Sequence, residues 1–186
     1  MDEAGRRKTS VETDFWAGLF LDLTLRVEWV AQTLDSVPHG EASAAALVRL
    51  RSYARALEEL HRAIEHVHAH RAQPYLKPLF SLEGPLAGYL SRLFAWCDEV
   101  GADFERMAIS LRRREPTMIV FSHKAVNGSY AQFDELISAM RRADEIAREL
   151  HGDEDAAGWR RFDEHLEELI WATEWLHMTL ARRPGE

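Results

Sequence analysis

Between positions 86 and 111 the chain sets Leu86, Leu90, Leu93, Cys97, Val100, Phe104 and Leu111 in steps of three, four and seven. Only an α-helix, turning roughly 100° per residue, gathers such positions on one face. A strand, with its period of two, would scatter them over both faces. The flanks agree. Gly84–Pro85 suits a helix start, because proline at the first helical position gives up an N–H that has no intrahelical acceptor. Arg112, Arg113 and Arg114 complement the negative end of the helix dipole, and Glu115–Pro116 stops the helix.

The same periodicity recurs along the chain. Trp16, Leu19, Leu23, Val27, Val30 and Leu34 predict a helix over 14–34, broken by the run from Ser36 to Gly40. Leu47, Leu50, Leu57, Leu60, Ile64 and Val67 predict a second over 43–71. Three prolines among Tyr75, Leu76, Leu79, Phe80 and Leu82 exclude a regular helix over 73–85, yet this segment is too apolar to float free. It is expected to pack across an end of the bundle. A short helix is read over 118–121. Ser129 and Gln132 have capping-box spacing and open a helix to about 150, with Phe133, Leu136, Ile137, Met140 and Ala147 inward and Gly152 ending it. The last helix, 155–180, carries Trp159, Phe162, Leu166, Leu169, Ile170, Thr173, Leu176 and Leu180 inward. Five long helices and a short sixth, with no strand pattern and no fixed repeat, predict an all-α single-domain bundle over 14–182. Residues 1–13, charged and without an apolar period, read as a flexible arm.

Charge and composition narrow the function classes. Among 186 residues, 31 Asp and Glu exceed 23 Lys and Arg, a net charge of −8, so nucleic acid is not an expected partner. The first dozen residues lack the apolar core of a signal peptide, and Asp22, Arg26 and Glu28 interrupt the apolar run 15–30. A soluble, cytoplasmic protein without a membrane segment is expected. Cys97 is the single cysteine, which excludes an internal disulfide and a cysteine zinc cluster. On the stripe of its helix it reads as an inert apolar filler. No glycine-rich phosphate loop, nucleophile elbow or His-Glu-x-x-His motif is present, so the common enzyme classes find no support.

Three Glu-x-x-His pairs, Glu58 with His61, Glu65 with His68 and Glu174 with His177, resemble the spacing of ferritin-like di-iron sites, where residues three apart hold one metal. That resemblance implies a lone inward glutamate on each of two further helices. The available ones, Glu28 and Glu135, project roughly 140° from the centres of their apolar stripes. No cofactor and no tightly held metal is therefore expected. His61 and His68 do share the core stripe of their helix, and Asp144 is an acid on an otherwise apolar face. A buried carboxylate must find a partner, so His61, His68, Asp144 and His177 form a candidate ligand or metal pocket, or an internal hydrogen-bonded set. His66 and His70, four apart on the opposite face, read as a solvated pair able to grip a divalent metal at the surface. Arg160 and His165 have the Arg-x4-His spacing and resemble HEPN ribonucleases in that window, with Arg161 in place of the usual polar residue. The resemblance implies RNA cleavage by Arg160 and His165.

Trp171, Trp175 and Met178, spaced by four and three, form a second apolar stripe on the last helix, opposite its core face. Tryptophan and methionine are enriched at interface centres, so something should cover them. Either this helix is central and buried all round, or a second chain packs on it. The helix over 14–34, with Phe15, Leu21, Leu25 and Trp29 off its main stripe, competes for the central place. One chain of this length cannot wrap two helices completely. A homodimer or partner protein is thus expected, and the chain reads as a regulatory, adaptor or accessory subunit. A metal- or small-ligand-binding bundle and a HEPN-like ribonuclease are the alternatives.

Overall fold

The computed structural model describes residues 3–37, 40, 44–113, 135, 138, 139, 141, 142, 145, 146, 148, 149 and 156–181. They form α1 (Glu3–Ser36), α2 (Ala44–His68), two 3₁₀ turns (Ala69–Ala72 and Pro74–Leu76), a one-turn α3 (Lys77–Phe80), α4 (Pro85–Arg112) and α5 (Ala156–Ala181). Described residues between 135 and 149 are also helical, and no strand occurs among the described residues. The chain is an all-α bundle. The short helix over 118–121, the Ser129–Gln132 cap, the stripe from Phe133 to Ala147, Gly152 and Asp144 lie outside the described residues.

The stripes read from the sequence on α1, α2, α4 and α5 face the core. Leu47, Leu50, Leu57, Leu60, Ile64 and Val67 of α2 are buried, as are Leu86, Leu90, Leu93, Cys97, Phe104 and Leu111 of α4. Phe162, Leu166, Leu169 and Leu176 of α5 join Trp16, Leu23 and Val30 of α1 in the same core. Two boundaries differ, and at one of them the helix read over 43–71 gives way after His68 to the 3₁₀ turn Ala69–Ala72. At the other, α1 begins at Glu3, so the stretch read as an arm continues the helix. Charged residues with good helix propensity carry no apolar period, which is why pattern alone begins the helix too late.

α2 is the central helix, packed against α1 on one side and most extensively against α5 on another. Side-chain pairs fix the directions. His61 meets Thr24 and His68 meets Phe20 and Trp16, so α2 rises as α1 descends. His66 meets Glu168 and His70 meets Phe162, so α5 is likewise antiparallel to α2. α4 closes the bundle. Phe104 stacks on Tyr53 of α2 with ring centroids 4.0 Å apart, Asp98 pairs with Arg26 of α1, and Tyr89 bonds Thr173 of α5.

The proline-rich segment crosses one end, as expected from its apolar content. It takes one 3₁₀ turn and one α-helical turn, with Pro74 and Pro78 at first-turn positions where a missing N–H costs no helical bond. Leu76, Leu79 and Phe80 are buried, and the Trp16 indole N–H donates to the Phe80 carbonyl at 3.2 Å. Among the described residues no helix is long and apolar enough to cross a membrane.

Candidate functional site

At the end of the bundle near the proline-rich segment, α2 and α5 bring four polar side chains together. His66 lies near the end of α2 and His70 four residues on, in the 3₁₀ turn that follows it, while His165 and Glu168 lie one turn apart on α5. Spacings of four and three put each pair on one helix face, and the antiparallel packing turns the two faces toward each other. His66 Nδ1 is 2.8 Å from Glu168 Oε2, and His70 Nε2 is 2.8 Å from His165 Nδ1. The His66 and His165 rings are 4.9 Å apart between centroids. One ligand atom from each of His66, His165 and Glu168 can be drawn such that all three lie within 4.8 Å of one another. No other grouping of three such ligands occurs among the described residues.

The environment favours neutral imidazoles. Burial, with His165 and Arg161 nearby, pushes His70 below the usual histidine pKa. Burial also lowers His165, helped by His66 and Arg161 and opposed by Glu168 and Glu164. At neutral pH both rings therefore keep a lone pair available for a hydrogen bond or an ion. Gln73 Nε2 lies 3.3 Å from His70 Nδ1, while Gln73 Oε1 is buried without a hydrogen-bond partner.

This face of α2 was expected to be solvated. Instead it packs on α5, and His70 is only 7% exposed, because a central helix is covered on two faces. The described members of the other sequence candidates meet different partners. His61 faces α1, with Thr24 Oγ1 3.2 Å from its Nε2 and the Glu65 carboxylate 3.7 Å from its Nδ1. His68 packs among Trp16, Phe20 and Phe80 and accepts a hydrogen bond from Arg71 Nη1 at 2.9 Å. Burial first, and the Arg71 guanidinium second, push its pKa down to about 4. A guanidinium on Nε2 also opposes a cation there. His177 is buried on α5 and belongs to no three-ligand grouping among the described residues. Glu28, Glu58, Glu65, Glu135 and Glu174 are all exposed, in line with their projection away from the core.

Arg160 and His165 do not point the same way. Arg160 is exposed, whereas His165 is turned onto His66 and His70. On the outer face of α5, Trp171 and Met178 are each 52% exposed, and Trp175 is half-buried with its ring 5.1 Å from that of Trp171. The central place belongs to α2. Leu21 and Leu25 of α1 are exposed as well.

Comparison with protein-family models, with curated proteins and with solved structures finds no match to this chain.

Proposed function

We propose that the protein acts by association, as a regulatory, adaptor or accessory subunit, with the outer face of α5 as its interface and a second copy of the chain as its partner. The observation that carries this reading is the exposure of Trp171 and Met178 beside the half-buried Trp175. Burying a large apolar side chain contributes roughly 1.5 to 3 kcal/mol, which makes this stripe the energetic centre of an interface. Association costs on the order of 4 to 15 kcal/mol in lost freedom, so flanking residues must complete it. A two-fold axis lets one stripe serve both subunits, which favours a homodimer over an open array. A reducing, cytoplasmic setting fits the buried free thiol of Cys97, whose pKa burial pushes up to about 12. Sedimentation across a range of concentrations tests the reading. It predicts a dimer that dissociates on dilution, and a monomer at every concentration contradicts it.

A further inference from the structure

We infer that His66, His165 and Glu168 form a mononuclear site for a divalent transition-metal ion, zinc foremost, clamping α2 to α5. The inference is independent of whether the outer face of α5 is an interface.

The donor set selects the ion. Two imidazole nitrogens and a carboxylate oxygen suit zinc, cobalt, nickel and copper, while magnesium and calcium require oxygen ligands. Two histidines and a glutamate are also a zinc ligand set that leaves a fourth position for water. Bonds of about 2.0 to 2.2 Å put two ligands of a tetrahedral ion roughly 3.4 Å apart. Atoms already within 4.8 Å of one another need to close by at most about 1.4 Å to reach that spacing. The side chains of His66 and Glu168 are 42% and 31% exposed, which gives an ion a path from solvent and keeps the fourth position wet. Glu168 and Glu164 supply negative charge beside His165, against the positive charge of Arg161.

His70 is the positioning residue. When the amide oxygen of Gln73, buried and unpartnered as seen, turns to His70, it accepts the Nδ1–H of that ring. His70 Nε2 then accepts the Nδ1–H of His165 across 2.8 Å, and the Nε2 lone pair of His165 is left for the ion. A metal-bound histidine commonly donates its other N–H in this way, which fixes its tautomer and its orientation. The His-x3-His spacing of His66 and His70 is legible in the sequence as a metal-gripping pair, but the His-x2-Glu pair of His165 and Glu168 that faces it belongs to a helix 95 positions away.

The test uses the full chain without a polyhistidine tag, stripped with a chelator and titrated with zinc by calorimetry and with cobalt by visible absorption. One ion per chain is expected, with a raised thermal midpoint and the intense visible bands of four- or five-coordinate cobalt. His66→Ala, His165→Ala and Glu168→Gln should each weaken binding at least tenfold, and His70→Ala about tenfold or more through orientation alone. His61→Ala should leave binding unchanged. Glu168→Gln is nearly isosteric at a partly exposed position, so it remains informative if a histidine variant fails to fold. Absence of stoichiometric binding overturns the site. So does binding that survives His165→Ala and Glu168→Gln but disappears in His66→Ala and His70→Ala, since that describes a chelate on α2 and the turn after it, without α5.

Discussion

His70 Nε2 and His165 Nδ1 lie 2.8 Å apart, joining the 3₁₀ turn at the end of the central helix to the last helix across 95 positions of sequence. Such a bond needs one ring to donate and the other to accept, so it requires that at least one imidazole stay neutral. Burial supplies that condition by lowering both pKa values, and each ring in turn holds the other's orientation. The end of the bundle where α2, α5 and the proline-rich turn converge is thus ordered by neutral histidines.

Acid should weaken this end first, and His68 makes the effect measurable. Its folded-state pKa of about 4 lies below the unfolded value of 6.5, so the unfolded chain binds more protons between these values. The contribution of His68 is fully present above about pH 6.5 and is lost as pH falls toward about 4. His68→Phe keeps an aromatic ring against Trp16 and Phe80 but cannot titrate. Urea midpoints at pH 7.5 and pH 4.5 should therefore differ less in the variant than in the wild type. Equal differences in both proteins would exclude His68 as a source of acid lability.

The bond between Tyr89 and Thr173 predicts an asymmetry. Thr173 Oγ1 donates to the Leu169 carbonyl at 2.8 Å, which leaves the Tyr89 O–H to donate to Thr173. Tyr89→Phe removes one donor and strands nothing, at a cost of about 0.5 to 1.5 kcal/mol. Thr173→Val leaves a buried phenolic hydroxyl without an acceptor, at about 1 to 3 kcal/mol. Denaturant unfolding of the two variants should rank Thr173→Val as the more damaging, and the reverse order would contradict this assignment.

Gly84 is required by space. A Cβ there would stand 2.5 Å from the backbone oxygens of both Pro78 and Leu79, where the turn after α3 enters α4. Backbone cannot yield as a flexible side chain would. Gly84→Ala should destabilise by about 1 to 3 kcal/mol, the usual range for overpacking. At an N-cap free of such contacts the exchange costs on the order of 0.5 to 1 kcal/mol, because glycine is preferred to alanine there, so a loss well above about 1 kcal/mol marks the clash. Thermal unfolding distinguishes the two.

Local signals in the sequence anticipate the helices but not their neighbours. The stripes of α2 and α4 and the Gly84–Pro85 start are legible because apolar period and proline stereochemistry are local properties. The start of α1 at Glu3 is not, since charged helix formers leave no period to read. A helical projection places His66 and His70 on the face of α2 opposite its apolar stripe, but it cannot say that α5 lies there. Nor does the spacing of Arg160 and His165 reveal that one faces solvent and the other faces α2. For Trp171 and Met178 the sequence offered core or interface, and their exposure removes the option of a fully wrapped α5. In each case the missing information is which helices are neighbours, and that is set by the whole core.

The most direct test of association through α5 is the mass in solution of the double variant Trp171→Glu with Trp175→Glu, measured by light scattering alongside circular dichroism. Charges on this face should oppose each other across a two-fold interface while sparing a core to which Trp171 contributes little. The account predicts a wild-type dimer and a variant monomer that keeps its helical signal. A wild-type monomer whose variant loses its helical signal would contradict it, showing the stripe to be part of the protein's own core.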